Sequence, residues 1–147
     1  MSEVFYSIQG EGLFTGTPCI FIRLAGCNLR CPWCDTDHSE QFKATPEQIL
    51  ERINTLPIVT TKFLVITGGE PTTHEGLPEL VRLLKENSFF VAMETNGTGP
   101  IPEGIDWVSV SPKFGLAGID HLANLRALLK IDEFKVVDDP ENPHRVV

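Results

Sequence analysis

Four cysteines stand out in this 147-residue sequence, because three of them lie within one stretch of eight residues, 27–34. Cys27, Cys31 and Cys34 have the spacing C-x3-C-x2-C, which is too crowded for an ordinary disulfide framework. Three thiolates in one loop can ligate three irons of a 4Fe–4S cluster and leave the fourth iron without a protein ligand. An iron with an open position can bind and reduce a small molecule. The spacing therefore predicts a catalytic iron–sulfur cluster.

Zinc is the main alternative for these thiolates, but a structural zinc ion needs four protein ligands. Cys19 lies eight residues upstream of Cys27, inside a predicted strand, and we expect it to be a small, buried apolar residue. His38 could serve as a fourth ligand, although a surface or pocket histidine is the simpler interpretation. The pattern favours the cluster and leaves zinc as the alternative.

The elements that must hold this loop are predicted by the hydrophobic pattern. Runs such as Phe63 to Ile66 lack alternation, as expected for strands covered on both faces. Alternating strands and helices imply parallel β-α units with right-handed crossovers. We predict an α/β fold, a partial (open) TIM-like β/α barrel with five or six parallel strands, in a single domain over 1–147. The predicted strands are 19–24, 63–67, 89–94, 107–111 and 133–137.

Three helices are predicted between these strands. Thr45 is expected to cap the first, with Pro46 at its first position and Gln48 completing a capping box. The second is expected to end near Asn87. Helical spacing groups their apolar residues as Ile49, Leu50 and Ile53 in the first, Leu77, Leu80, Val81 and Leu84 in the second, and Leu122, Leu125 and Leu129 in the third.

Three polar turns follow predicted strands, at the sheet edge where parallel β/α folds collect their chemistry. In 67–71, Thr-Gly-Gly-Glu-Pro, two glycines let the backbone approach a ligand and Glu70 can accept from an ammonium group. Alone, such a sequence is more often a simple turn. The turns at 94–97 and 111–113 have the same two interpretations, a strand-ending turn or a further ligand contact.

The glycine-rich segment 5–18 precedes the first predicted strand. Its structural interpretation is a glycine hairpin leading into the sheet. Its functional interpretation is that Gln9 and the nearby backbone recognise a heterocycle, while Arg23 pairs with a carboxylate through two hydrogen bonds.

These motifs together resemble the radical S-adenosylmethionine superfamily, in which the open iron chelates the cofactor and a 5′-deoxyadenosyl radical abstracts hydrogen from substrate. The runs 6–12, 21–28 and 33–36 resemble the 7-carboxy-7-deazaguanine synthase family, and the likeness extends over 5–137. This resemblance implies a lyase of queuosine biosynthesis that contracts the ring of 6-carboxy-5,6,7,8-tetrahydropterin to give 7-carboxy-7-deazaguanine and ammonia.

The resemblance also implies roles for single residues. Cys27, Cys31 and Cys34 would hold the cluster, and Thr36 would coordinate Mg²⁺ beside the substrate carboxylate, although a threonine beside Asp35 also suits a cap or turn. It further implies a homodimer and an electron donor such as flavodoxin or ferredoxin. The implied pterin contacts are Ile8, Gln9, Gly10, Arg23 and Thr67, and the implied S-adenosylmethionine contacts are Trp33, Cys34, Asp35, Gly69, Glu70, Glu94, Ser111 and Lys113.

Composition and charge argue against a nucleic-acid-binding protein and against a membrane protein. With 12 Lys and Arg against 20 Asp and Glu, the formal charge of −8 argues against a broad nucleic-acid-binding surface. Neither a secretory signal nor an apolar run of about 18 residues is visible, which predicts a cytoplasmic protein without a membrane partner.

Two alternatives remain open, a glycyl-radical-enzyme activating protein and a non-catalytic iron–sulfur or zinc module. Family members are usually longer, with a C-terminal segment over the pterin. An abbreviated member, or a chain that continues beyond Val147, fits this difference.

Overall fold

A computed structural model of the chain describes residues 1–57, 60–114, 116 and 118–136. It has one six-stranded sheet in which spatial order equals chain order. The first strand is antiparallel to the second, and the other neighbouring pairs are parallel. The predicted α/β fold with five parallel strands is therefore present. The strands are β1 (Glu3–Ile8), β2 (Pro18–Leu24), β3 (Phe63–Gly68), β4 (Phe90–Thr95), β5 (Trp107–Val110) and β6 (Glu133–Phe134).

The crossovers between parallel strands carry the helices. Helix α1 (Pro46–Thr55) joins β2 to β3, α2 (Leu77–Glu86) joins β3 to β4, and α3 (His121–Ala127) joins β5 to β6. A short 3₁₀ turn, Pro71–Thr73, follows β3. None of the helices in the described ranges has the length and apolar character of a membrane span.

The strands differ from the prediction at two places. β1 is not among the predicted strands, because the glycine-rich composition of 5–18 is interpreted there as a hairpin leading into the sheet; β1 is the first arm of that hairpin, antiparallel to β2. β6 is shorter than the predicted strand over 133–137, and Val137 lies outside the described residues.

One face of the sheet packs against the helices and forms the main core. The predicted capping box is confirmed: the Gln48 backbone N–H donates to Thr45 Oγ1 at 3.4 Å, and the Thr45 N–H donates to Gln48 Oε1 at 2.9 Å. Helix α2 ends at Glu86 with Asn87 as its C-cap, which confirms the predicted end near Asn87. The buried positions of these two helices are Ile49, Ile53, Leu77, Leu80, Val81 and Leu84.

The prediction for the third helix is wrong in part. Leu122 is 57% exposed, and Leu129 lies beyond the end of α3 and is fully exposed. Leu125 alone of the three packs against the core, and the buried residue of the helix is His121. The helix has only seven residues and begins after the Asp120 cap, so it is too short for three leucines at this spacing to share one buried face.

The opposite face of the sheet, which we call the loop face, has a smaller apolar cluster of Cys19, Phe21, Val65 and Ala92. The β1–β2 connection, residues 9–17, lies over it. Phe14 from this connection contacts the rings at the starts of β3, β4 and β5, with ring centroids 4.8 Å from Phe63, 5.8 Å from Phe90 and 5.2 Å from Trp107.

Candidate active site

The cysteine loop leaves the end of β2 without regular secondary structure until α1 begins. Cys27 and Cys31 are half-buried, Cys34 is exposed, and Cys19 is fully buried on the loop face, as predicted. The Leu29 backbone N–H donates to Cys27 Sγ at 3.4 Å, and the Cys34 N–H donates to the Cys31 carbonyl at 3.1 Å. The loop therefore turns back on itself between its first and last sulfur.

The charges of the three sulfurs affect one another. Burial raises the pKa of the Cys31 thiol, Lys113 opposes that rise, and Cys27 and Cys34 add to it. Burial likewise raises the pKa of Cys27. Among the described residues, no three His, Cys, Asp or Glu side chains converge on one point as a single metal ion requires. The donor set itself fits a cluster: three thiolates can each bind a different iron, whereas a structural zinc ion takes four protein ligands.

The turn after β3 packs directly on the start of the cysteine loop. The Gly69 N–H donates to the Leu24 carbonyl at 3.1 Å, and the Glu70 N–H donates to the Gly26 carbonyl at 2.9 Å. A Cβ at Gly69 would lie 1.8 Å from that Gly26 oxygen, a backbone atom that cannot move aside alone. Glycine is thus required at Gly69 by close approach of two backbones.

We expect Gly69→Ala to separate this turn from the cysteine loop, because the added methyl group overlaps the Gly26 carbonyl. The free energy of unfolding should fall by about 2 kcal/mol or more. Urea denaturation followed by circular dichroism measures it. Gly76→Ala is the control, since a Cβ there meets no atom within 4 Å and the backbone is already in the right-handed region. Equal stability of the two variants would contradict the close contact.

Glu70 is fully buried, and its carboxylate accepts hydrogen bonds from residues after β3 and at the end of β4. Oε1 accepts from the Thr72 N–H at 3.0 Å, the Thr72 hydroxyl at 2.6 Å and the Thr95 hydroxyl at 2.6 Å, while Oε2 accepts from the Asn96 N–H at 2.7 Å. The carboxylate, predicted to contact the cofactor, is thus occupied in joining the end of β3 to the end of β4. The backbone of the same residue faces the cysteine loop.

A second polar link joins the end of β4 to the cysteine loop itself. The Asn96 amide nitrogen donates to Asn28 Oδ1 at 3.0 Å, and the Asn28 amide nitrogen donates to the Thr98 hydroxyl at 2.8 Å. A third link comes from His74 Nε2, which lies 2.8 Å from the Ala25 carbonyl. Asn28, His74 and Thr98 are absent from the predicted site, and Asn96 enters it only as part of the turn at 94–97. Their only sequence signal is their position between or beside the motifs.

Ser111 and Lys113 follow β5 and lie on the same side as the cysteines. The Lys113 ammonium donates to Ser111 Oγ at 2.5 Å, and its positive charge lowers the pKa of Cys27 and Cys31 against the larger effect of burial. The Ser111 N–H donates to the Thr95 carbonyl at 2.8 Å. The ends of β2, β3, β4 and β5 thus contribute to one surface; that this surface holds the cofactor stays a prediction.

A different group of polar side chains meets on the loop face. We call it the Glu94 group, and it consists of Gln9, Thr67, Glu94 and Lys135. Glu94 Oε1 accepts from Gln9 Nε2 at 3.1 Å and from Lys135 Nζ at 2.7 Å, and Oε2 accepts from the Thr67 hydroxyl at 2.8 Å. Burial raises the pKa of the Glu94 carboxyl, but Lys135, Thr67 and Gln9 outweigh it and the pKa is lowered overall. Glu94 is predicted to contact the cofactor, yet the structure places its carboxylate with two predicted pterin residues.

Arg23 lies on the same face and is paired across the β1–β2 ladder. Its Nε donates to Glu3 Oε1 at 2.6 Å, and its guanidinium lies 5.7 Å from the centre of the Phe5 ring. Within the described ranges, no other hydrogen bond is formed by this side chain. Its charge also contributes to lowering the pKa of Asp37, after the larger effect of hydrogen bonds from Ser39.

The remaining predicted site residues are exposed or only partly buried. The Thr36 hydroxyl donates to the exposed Asp35 carboxylate at 3.1 Å. Ile8 is 59% exposed, Gly10 is exposed, and Trp33 is partly buried. Ile8 and Gly10 flank Gln9, whose amide contacts Glu94, whereas the Thr36 hydroxyl is paired with its neighbour Asp35.

The comparisons with known proteins agree with this arrangement. The family model described as the Radical SAM superfamily matches residues 21–116. The 7-carboxy-7-deazaguanine synthase of Bacteroides thetaiotaomicron is 43% identical to this chain over 137 residues, which cover 93% of this chain and 69% of that protein. This chain belongs to the 7-carboxy-7-deazaguanine synthase family of the radical SAM superfamily.

Other members of the 7-carboxy-7-deazaguanine synthase family support the assignment. The synthases of Haemophilus influenzae and Aquifex aeolicus are 39% and 43% identical, with 96% of this chain covered in each case. The chain spans 64% and 65% of the length of these two relatives. The crystal structure of QueE from Escherichia coli matches with a TM-score of 0.76 and 32% identity, over 98% of this chain and 72% of that one.

Membership of this family confirms the predicted resemblance and the predicted TIM-like α/β fold. Membership of the radical SAM superfamily implies a 4Fe–4S cluster and S-adenosylmethionine. Lys135 is the residue near the predicted pterin contacts that sequence reasoning misses. One sequence feature could have indicated it. Lys135 lies two residues after Glu133 in the last predicted strand, so the two side chains point to the same face of the sheet.

Proposed function

We propose that this protein converts 6-carboxy-5,6,7,8-tetrahydropterin to 7-carboxy-7-deazaguanine and ammonia. One observation supports this most strongly: β3 and β4 each have a residue of the Glu94 group at the penultimate position, and each is followed by a turn that is hydrogen-bonded to the cysteine loop. Thr67 precedes the turn at Gly69, and Glu94 precedes the turn at Asn96. A small molecule held on the loop face would therefore lie next to a cofactor held at the strand ends.

Cys27, Cys31 and Cys34 would hold the cluster, and Gly69, Ser111 and Lys113 would contact S-adenosylmethionine. When bound, the two groups together supply reductive cleavage of the cofactor and hydrogen abstraction from the substrate. The chain's own contribution is orientation, because the turns of β3 and β4 are fixed on the cysteine loop by hydrogen bonds and by backbone contact.

Recognition of the pterin follows from the polar groups of the loop face. The terminal guanidinium nitrogens of Arg23 are suited to a carboxylate, because its contact with Glu3 uses Nε. The Gln9 amide, the Thr67 hydroxyl and the Glu94 carboxylate offer donors and acceptors to a heterocycle. The apolar cluster beneath them, including Phe21 and Val65, excludes water from one side of the bound ring.

Four finer features belong to the same proposal. Thr36 coordinates Mg²⁺ beside the substrate carboxylate, where an oxygen ligand suits a hard cation. The protein is cytoplasmic, acts as a homodimer, and receives electrons from a donor such as flavodoxin or ferredoxin.

Turnover of the carboxypterin tests this function. The cluster-loaded protein is incubated with reductant, S-adenosylmethionine and 6-carboxy-5,6,7,8-tetrahydropterin. Because the product and ammonia together contain all the atoms of the substrate, we expect ammonia release without consumption of S-adenosylmethionine. Chromatography and an ammonia assay measure both, and boiled protein is the control. A fully loaded cluster that cleaves S-adenosylmethionine but never turns over the pterin would contradict the assignment.

A further inference from the structure

Lys135 lies immediately after β6, with its side chain on the loop face. Its Nζ is 2.7 Å from Glu94 Oε1 and 3.3 Å from Glu11 Oε2, and the side chain is only 18% exposed. Its backbone N–H donates to the Val110 carbonyl at 2.8 Å, which continues the pairing between β5 and β6. Both the ammonium group and the backbone of this residue are therefore held in place.

The carboxylate of Glu94 depends on this ammonium group. Its side chain is 27% exposed, and a carboxylate taken out of water needs a compensating charge. Gln9 and Thr67 supply one neutral hydrogen bond each, whereas Lys135 supplies the only full charge within 4 Å among the described residues. Without it, burial would favour protonation of the carboxyl or its rotation towards solvent.

The second contact of Lys135 reaches the 9–17 connection. The Glu11 N–H donates to the Gln9 side-chain oxygen at 3.3 Å, so the residue that pairs with Lys135 also steadies Gln9. Nearby, Glu133 Oε1 accepts from the Leu13 N–H at 2.9 Å. The last strand thus holds the connection at two points, beside the amide that faces the Glu94 carboxylate.

We propose that Lys135 is a positioning residue for the pterin site, which fixes the Glu94 carboxylate against Gln9 and Thr67 and ties the 9–17 connection to β6 through Glu11. This inference rests on the proposed function. Lys135 acts through Glu94, so its loss should weaken substrate binding more than the chemical step, which depends on the separate surface around the cysteines.

Lys135→Met tests the inference, because it keeps the length of the side chain and removes the charge. We expect the KM for the carboxypterin to rise about tenfold, with kcat within about threefold of wild type and unchanged affinity for S-adenosylmethionine. Lys135→Arg should restore the KM to within about threefold, because it keeps the charge. Lys62→Met is the matched control, since Lys62 is exposed and precedes β3, at the opposite end of the strands from the cysteine loop.

A double-mutant cycle with Glu94→Gln separates positioning from general damage. If Lys135 acts through Glu94, adding Lys135→Met to Glu94→Gln should raise the KM little further, whereas independent effects would multiply. Should Lys135→Met not fold, Lys135→Gln takes its place. Multiplying effects, or a KM equal to wild type, overturn this inference alone. Absence of pterin turnover by the wild-type protein overturns the proposed function as well.

Discussion

Replacing Cys31 with alanine should abolish the cluster and the activity together. Two thiolates remain in the loop, and two cannot retain a cluster that needs three protein ligands. After anaerobic reconstitution we expect iron to fall from about four atoms per chain to background. The brown absorbance should disappear with it. Colorimetric iron analysis and absorbance measure this directly, without reliance on turnover.

Cys19→Ala is the matched control for this variant. Cys19 is fully buried on the loop face and is not part of the cysteine loop, so its loss should leave the iron content unchanged. We expect it to lower the free energy of unfolding by about 1 kcal/mol, because it removes a packed sulfur atom. Burial and the nearby Glu94 charge raise the pKa of this thiol to about 11, so it stays protonated at neutral pH. Full iron in the Cys31 variant would refute the ligand assignment.

Glu70→Gln should cause the second large effect. The carboxylate is fully buried and accepts from Thr72, Thr95 and the Asn96 backbone. The amide that replaces it has one acceptor oxygen, so its NH₂ group must face a donor and leave that donor unsatisfied. We expect the free energy of unfolding to fall by about 2–4 kcal/mol, because hydrogen bonds to a buried charge are among the strongest.

Urea denaturation of the metal-free protein measures this loss. Glu79→Gln on the exposed face of α2 is the matched control, since its pairing with Arg82 lies at the surface and should leave the midpoint almost unchanged. The Glu70 variant should also bind S-adenosylmethionine more weakly, because the turns of β3 and β4 lose their connection. A Glu70 midpoint equal to that of wild type would show that the buried hydrogen bonds contribute nothing to stability.

The sequence predicts the strands that carry the motifs well, because a buried parallel strand needs a continuous apolar run. β3 and β4 are examples: both are covered on two faces, and both appear as predicted to within a residue or two. The capping box at Thr45 is predicted equally well, because its partners Thr45 and Gln48 are only three positions apart in sequence. Interactions can therefore be predicted from the sequence where the interacting residues are close along the chain.

The parts that escape prediction depend on partners far apart along the chain. Glu94 meets Lys135 41 residues later and Gln9 85 residues earlier, and neither spacing has a local signature. The turn at 94–97 is recognised from its sequence. The direction of the Glu94 side chain is not, because it depends on which face of the sheet this position of β4 occupies and on the 9–17 connection that covers that face. Glu70 is similar: its position is predicted, and its burial is not.

The contact between Gly69 and Gly26 has a consequence for how the family can vary. Where a glycine is confined by a side chain, as Gly99 is by Thr72, a smaller neighbour can make room for a larger residue. At Gly69 the obstacle is a carbonyl oxygen that every amino acid carries, so no exchange at position 26 can compensate. Second-site suppressors should be recoverable for the first kind of glycine, whereas the second kind leaves evolution no route except reshaping the whole turn.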